Sequence, residues 1–334
     1  MKAFSMAIIG ATGVVGRTLI DVINETKPPV SDFYLYASEK SYGKTFDILG
    51  KTYTVDVLTE KTPPYKKIDV AIFCVNAKIS KKYVKYFTRN NVLVIDNSKA
   101  FRRYKKVPLV VPEVNGEEIF KNIGIIANPN CSTIQATVAL KPLDKEFKLK
   151  RVIITTFQSV SGAGRAGVTD LKNGIKGKAP KKFSRTIFGN CIPEIDEFLK
   201  NGYTMEEEKI IFESKKILND ENLKITATCV RVPVFVSHAE SINAEFYKTP
   251  TRKKVIQILK KTDGIKVLDD KDFRKFPTQK DAEGKNCVFV GRIRKDNSDK
   301  HSINLWVVAD NLRKGSATNA LQTALKYFEK KELK

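Results

Sequence analysis

Over the first 128 residues, short apolar runs alternate with segments of helical periodicity. The runs at 4–9, 33–37, 70–75, 92–95 and 123–127 read as strands, and 14–26 and 79–90 read as helices between them. That alternation predicts a doubly wound parallel sheet of Rossmann-like type. Beyond residue 140 the texture changes. Segments rich in Val, Ile and Thr at 152–160, 225–246, 288–293 and 302–309, with few helices among them, predict an α+β domain built on a mainly antiparallel sheet. Residues 315–331 carry Ala320, Leu321, Ala324, Leu325 and Phe328 at helical spacing, so a helix closes the chain. The fold class is α/β with two domains, one over 1–128 completed by a C-terminal helix within 311–334, the other over 129–310.

The first strand runs into Gly10-Ala-Thr-Gly13-Val-Val-Gly16 and then an apolar helix. Glycines at this spacing, after a strand and before a helix, form a variant of the dinucleotide fingerprint. One permits the tight turn, one lets the backbone approach a pyrophosphate, and one lets helix and sheet pack closely. Past the second strand, where a ribose would lie, stand Ser38, Glu39, Lys40 and Ser41. Hydroxyls and a lysine suit a 2′-phosphate, whereas Glu39 repels one and prefers a free 2′-hydroxyl, so NADP and NAD both stay open.

A second break follows the strand at 123–127. Asn128-Pro129-Asn130 is a turn, and a helix is expected from Ser132 to Leu140, which sets Cys131 at a helix N-terminus. Such a position lowers a thiol pKa and offers unpaired N–H groups to a developing oxyanion, which suits acyl chemistry. The competing reading is a small buried core cysteine.

Composition removes several alternatives. A length of 334 residues with 42% hydrophobic and 29% charged positions is ordinary for two globular domains. No run approaches the roughly 18 apolar residues of a membrane span, so the chain reads as soluble and cytoplasmic. Five cysteines, without a C-x-x-C pair, argue against a disulfide framework and against a metal site. The net charge of +23 invites a nucleic-acid reading, but the lysines are scattered in twos and threes without aromatic interleaving. Neither nucleic acid nor membrane is expected as a partner; a small anionic ligand would gain from the positive field.

Acyl chemistry on a thiol requires a proton carrier with a pKa near neutral, and there are two histidines. His301 sits in a polar turn and is left as structural. His238 ends a strand of alternating valines interrupted by Pro233. Arg231 and His238 are an odd number of residues apart, so a regular strand would point them to opposite faces; a bulge or kink near Pro233 would bring them together.

With these residues in view, the chain resembles the aspartate-β-semialdehyde dehydrogenase family over nearly its whole length. The resemblance is carried by GATGVVG at 10–16, DNSKAFR at 96–102, VPLVVPEVN at 107–115, NPNCSTIQ at 128–135, FQSVSGAGRAG at 157–167, IPEID at 192–196, ATCVRVPVFVSHAES at 227–241, VFVGRIRKD at 288–296 and WVVADNLRKG at 306–315. It implies NADPH-dependent, reversible reduction of L-aspartyl 4-phosphate to aspartate 4-semialdehyde and phosphate, on the route to lysine (through diaminopimelate), methionine and threonine. By the same resemblance Cys131 is the nucleophile that forms an acyl-thioester, His238 the acid/base, and Gln158 the group that orients the substrate. Arg231 clamps the substrate carboxylate, Arg102 holds the phosphate, Glu213 meets the substrate amine and Lys216 the phosphate. Unaided, Glu213 and Lys216 read as a surface ion pair on a helix opened by the capping pattern Thr204-x-x-Glu207.

The resemblance places the expected cofactor contacts on Gly10, Thr12, Gly13, Val14, Val15 and Gly16 of the glycine loop and on Ser38, Ser161, Gly162 and Asn311. The chain departs from the family pattern at Glu39 and Lys40, where a small residue and an arginine are expected; NADP is the expected cofactor, with NAD use open because of Glu39. The resemblance also implies assembly as a homodimer or homotetramer through the second domain. A non-catalytic Rossmann-type binding relative and another acyl-phosphate reductase are the alternatives; the joint presence of Cys131, Gln158, Arg231 and His238 argues for catalysis.

Overall fold

The computed structural model describes residues 3–270, 272 and 274–331; residues 1 and 2 of the expected first domain and 332–334 of the expected closing helix lie outside the described residues. Two compact units form. One runs to Pro129 and resumes at Ser316; the other is Asn130–Gly315. Residues 311–315 thus group with the second unit.

The first unit is a seven-stranded sheet of β1 (Phe4–Ile9), β2 (Val30–Ala37), β3 (Thr45–Ile48), β4 (Lys51–Val57), β5 (Val70–Phe73), β6 (Leu93–Asp96) and β7 (Ile125–Ala127). The order is β3-β4-β2-β1-β5-β6-β7, and every pairing is parallel except that of β3 with β4. Every residue of β1, β5 and β6 is buried, because both sheet faces are covered. Alternation sorts their side chains: Ile8, Ile72 and Ile95 pack with Leu19, Ile23 and Leu321 on one face, while Ala7, Ile9, Phe73 and Val94 pack with Phe87 on the other. The helices that supply these layers include α1 (Val14–Thr26), α2 (Ala77–Thr88) and the closing helix Thr318–Lys331, with a four-residue α3 (Pro112–Asn115) between β6 and β7.

The hairpin of β3 and β4 was not expected from the hydrophobic runs, because its residues alternate polar and apolar and neither strand carries a continuous apolar core. Leu49 and Gly50 turn it with φ of 51° and 83°, and Asn24 of α1 docks it by accepting from Leu49 N–H and donating to the Asp47 carbonyl.

The second unit contains α4 (Cys131–Phe147), β8 (Leu149–Gln158), α5 (Gly164–Ile175), α6 (Met205–Leu218), β9 (Lys224–Arg231), β10 (His238–Phe246), α7 (Arg252–Lys260), β11 (Ile265–Val267), α8 (Gln279–Ala282), β12 (Val288–Lys295) and β13 (Ser302–Ala309). Its sheet has the order β11-β12-β13-β10-β8-β9; β10 pairs antiparallel with both β8 and β13, and β12 with β13. The apolar stretch 225–246 is therefore two strands, not one, and β8 lies between them. Residues 132–140 of α4 are all buried, and the helix runs through Pro142 to end at Lys148, where φ turns to 60°. It outlasts the expected end at Leu140 because Leu143 and Phe147 continue its buried face. No described helix is long and apolar enough to cross a membrane.

The glycine loop shows why Gly10 and Gly16 are required. Gly10 has φ of 88°, and a Cβ there would lie 2.6 Å from the Cys74 carbonyl oxygen. At Gly16 a Cβ would collide with the Gly10 carbonyl oxygen and the Ala11 backbone. Gly16→Ala is therefore expected to lower stability by about 1–3 kcal/mol, the usual range for overpacking a filled core position. A urea unfolding midpoint equal to that of the unmodified chain would contradict this packing.

Candidate active site

Strand register gathers the second unit's polar residues. Gln158 and Arg231 are paired at the ends of β8 and β9, and the Phe157–Ala239 pair sets His238 opposite Gln158 on the other side. All three are buried. Arg231 and His238 thus meet across β8, from two strands, and no bulge near Pro233 is involved. Their approach is visible at Gly162, where a Cβ would lie 2.9 Å from Arg231 Nη1 and 3.2 Å from His238 Nε2.

Cys131 is the first residue of α4 and is partly exposed. The preceding Asn130 caps the helix: its Oδ1 accepts from Ser132 N–H at 3.0 Å and from Thr133 N–H at 3.4 Å. Two carboxylates of α6, seven residues and so two turns apart, hold Asn130 in turn. Glu213 Oε2 accepts from the Asn130 backbone N–H at 2.6 Å, and Glu206 Oε1 accepts from Asn130 Nδ2 at 2.8 Å. Glu206 Oε1 also accepts from Gln158 Nε2 at 3.1 Å, and the Thr156 hydroxyl donates to Gln158 Oε1 at 3.1 Å. The expected capping box of α6 is present, with Thr204 and Glu207 exchanging hydrogen bonds, and Glu207 Oε1 accepts from Cys229 N–H to bind the helix to β9. Burial alone would raise the Glu206 carboxyl. The Lys209 charge and hydrogen bonds from Lys209, Asn130 and Gln158 outweigh it and bring the group down to about 2.

His238 has a defined tautomer. Its Nδ1 accepts from Ser159 N–H at 3.0 Å, which leaves the proton on Nε2, and buried Nε2 has no partner among the described residues. Burial, and then the Arg231 charge, push the imidazole down to about 3, so it is neutral across the working range. Arg231 Nη1 donates to the Ser159 carbonyl at 2.7 Å, while its buried Nε has no partner. Two donors, Nε2–H and Nε–H, are therefore buried without acceptors, which is what an anionic or carbonyl ligand satisfies.

The other expected residues divide between the units. Glu213 is buried, so it is no surface ion-pair partner; burial lowers the Lys216 ammonium against the opposing charge of Glu213. The Asn311 carboxamide joins Ser159, Ser161 and the Ser237 backbone N–H, and so braces the loop that carries Gly162. Gln135 donates to the His238 carbonyl, and beside it Glu240 is fully buried. Burial drives the Glu240 carboxyl well above its ordinary range, offset in part by Gln135 and Ser132. In the first unit Arg102 is held by the Ser98 and Asn97 carbonyls at 3.1 and 2.8 Å.

The glycine loop, with Thr12, Ser38, Glu39 and Lys40, borders a cavity of about 780 Å³ at the carboxyl ends of β1, β2 and β5. The first helical residues, Val14, Val15 and Gly16, have no side-chain cap and no acid in the first turn, so their N–H groups fit a pyrophosphate. Ser38, Glu39 and Lys40 are exposed at its rim.

Among the remaining thiols, burial pushes Cys74 up to about 12 and raises Cys229 and Cys287, while Cys191 is exposed. The sequence patterns did not single out Asn130, Glu206, Ser159 or Glu240. Asn130 carried a signal, a capping residue directly before the helix; Glu206 and Glu240 act through contacts distant in sequence.

The depressed His238 pKa has a stability consequence. Its folded value lies below the unfolded one, so the unfolded chain binds the extra proton and stability falls as pH drops below about 6.5. Between pH 7 and pH 5 the group is expected to remove about 2 kcal/mol. His238→Asn should lose correspondingly less over that interval in urea unfolding; equal losses in both proteins would refute the assignment.

Comparison with known proteins agrees with this geometry. Residues 5–122 match the model for the semialdehyde dehydrogenase NAD binding domain, and 140–314 that for the semialdehyde dehydrogenase dimerisation domain. The chain is 48% identical over 330 residues to an aspartate-semialdehyde dehydrogenase of Aquifex aeolicus, covering 96% of this chain and 97% of the relative. It is 47% identical over 333 residues to aspartate-semialdehyde dehydrogenase 2 of Vibrio cholerae, covering 97% of each. The crystal structure of aspartate-semialdehyde dehydrogenase II of Vibrio cholerae complexed with ASA superposes with a TM-score of 0.95 at 45% identity, over 98% of this chain and 99% of that one. The Candida albicans enzyme crystallised with NADP gives 0.77 at 26% identity, over 97% and 98%. A chain with these two domains end to end, the glycine loop in one and Cys131 with Gln158, Arg231 and His238 in the other, belongs to the aspartate-semialdehyde dehydrogenase family.

Proposed function

We propose that the protein is an aspartate-semialdehyde dehydrogenase that converts L-aspartyl 4-phosphate to aspartate 4-semialdehyde and phosphate, and the reverse, in the aspartate pathway of amino-acid biosynthesis. The observation that carries this reading is the in-register convergence of Arg231, Gln158 and His238, with Gln158 tied through Glu206 to the turn that presents Cys131.

Each residue then has a task its surroundings suit. The Cys131 thiolate attacks the acyl carbon, the C–O bond to phosphate breaks, and a thioester remains. A bound nicotinamide dinucleotide supplies the hydride. His238 holds its proton on Nε2 and directs it as a hydrogen bond to the carbonyl oxygen, which stabilises the oxyanion that forms when hydride adds. Collapse of that tetrahedral adduct reforms the carbonyl as the aldehyde and expels the Cys131 thiolate. With its Nδ1 already accepting from Ser159 N–H, His238 acts in both directions as a donor to that oxygen. Gln158 orients the acyl group. Arg231 receives the substrate carboxylate on its fork, Glu213 the ammonium, and Lys216 with Arg102 the phosphate. Gln158, Arg231, His238, Glu213 and Arg102 are buried, so their interactions act in a low dielectric.

NADP is assigned as the cofactor on the glycine loop and Ser38, with Ser161, Gly162 and Asn311 at the nicotinamide end, and Glu39 makes NAD an accepted substitute. Assembly is assigned as a homodimer through the second unit.

Cys131→Ala is expected to reduce turnover with aspartyl phosphate by at least about 10⁴-fold, and His238→Ala by about 10²–10⁴-fold. Unimpaired turnover in the Cys131 variant would end this assignment. For the cofactor, Glu39→Ser removes a negative charge from the ribose end. It is expected to raise the NADPH to NADH ratio of kcat/KM by about tenfold. A ratio unchanged in initial-rate assays would show that Glu39 does not face the 2′ position.

A further inference from the structure

Glu206 touches both halves of this machinery yet has no part in the chemistry above. We infer, taking Cys131 as the nucleophile and Gln158 as the substrate-orienting group, that Glu206 is a positioning residue. It fixes which way the carboxamides of Gln158 and Asn130 face, and through them the aim of the substrate clamp and the first turn of the nucleophile's helix.

The two ends of a carboxamide are nearly equal in shape, so only hydrogen-bond partners select its orientation. An ionised carboxylate accepts and never donates. Both amides meet the same oxygen, Glu206 Oε1, and both must therefore turn their NH2 groups toward it. For Gln158 this leaves Oε1 where the Thr156 hydroxyl donates. For Asn130 it leaves Oδ1 facing Ser132 and Thr133 N–H. A reversed Asn130 would present donors to donors, and the cap on α4 would be lost. Glu213 holds the same turn by a backbone N–H, which locates Asn130 but selects no orientation.

Glu206 is itself fixed. Its Oε2 accepts from Lys209 Nζ at 2.9 Å, and Lys209 donates to Asp196 at 2.7 Å, so the anion is paired from behind while its other oxygen faces the site. With 6% of its surface exposed, Glu206 has little water to turn to. A neutral acid or amide in its place would donate as readily as accept, and the orientation of both carboxamides would lose its selection.

Turnover is to be measured in the full-length enzyme for the unmodified protein, Glu206→Gln, Gln158→Ala and the double variant, beside thermal unfolding of each. Glu206→Gln is expected to lower kcat by about 100-fold, the scale of a small misplacement at a reacting centre, with KM for the acyl substrate changed less than about threefold. In the Gln158→Ala background the same substitution is expected to cost at most about tenfold, because part of what it acts through is already gone. Undiminished kcat in Glu206→Gln, or the same fold-loss in both backgrounds, overturns the inference.

If Glu206→Gln does not unfold cooperatively, Lys209→Met replaces it. That variant strips the counter-charge while Asp196, Glu213, Arg231 and His238 remain around the carboxyl. It is expected to shift the acid limb of kcat to higher pH than in the unmodified enzyme, as Glu206 takes up a proton more readily. Superimposable profiles overturn the inference. Cys131→Ala, assayed in parallel, tests the nucleophile separately: activity there removes the premise, whatever the Glu206 variants do.

Discussion

Hydrogen-bond register across β9, β8 and β10 is the constraint on which the site depends. Side chains alternate between the faces of a strand, so a slip of one residue would carry Gln158 away from α4 and separate Arg231 from His238. The register is secured by burial of the face that these three residues share. Ile154, Ile242 and Ala244 are buried in the same strands, beneath a helix whose residues 132–140 are buried throughout. The apolar packing that stabilises the sheet thereby sets the spacing of the polar groups at its end.

Around that register the protein uses burial to assign charge. Glu206 stays an anion because Lys209 and two carboxamides compensate it, while burial with weaker support raises the carboxyl of Glu240. His238 is kept neutral by burial and by the Arg231 guanidinium. The result is the buried Arg231 guanidinium with the buried Glu206 carboxylate near it, and an imidazole N–H donor whose tautomer is set by a backbone N–H. Desolvating so many polar groups is unfavourable to folding; here it leaves the His238 Nε2 and Arg231 Nε donors without acceptors among the described residues.

Much of this was legible in the sequence, and the limits have physical causes. Continuous apolar runs located β1, β5 and the other central strands, since full burial erases the polar half of the pattern. The glycine triplet and the turn before Cys131 were readable because their demands are local: a positive φ, a close backbone approach, a cap. The hairpin of β3 and β4 escaped because it is half solvated and weakly apolar. Stretch 225–246 ran together because its linking loop, with Val232, Val234, Phe235 and Val236, is as apolar as the strands it joins. The meeting of Arg231 and His238 across β8 depends on a crossover that spacing along the chain does not encode. Glu206 and Glu213 look like ordinary helix-surface acids until α6 is packed against the Asn130 turn.

The five cysteines lead to a separate consequence. Burial keeps Cys74, Cys229 and Cys287 in their thiol forms, so a soft electrophile entering the protein meets few competent partners. Cys191 is open to any reagent, but it has no guanidinium fork or imidazole N–H of the Arg231 and His238 kind assigned to it. Cys131 is only partly exposed, as are Cys74 and Cys287, so under the assignment proposed above selection of Cys131 belongs to the reagent's shape: a small carbonyl electrophile bearing a carboxylate would find anchoring groups there, and a featureless one would not. On that assignment an anionic electrophile would label Cys131, whereas an unselective one would fall first on the exposed Cys191.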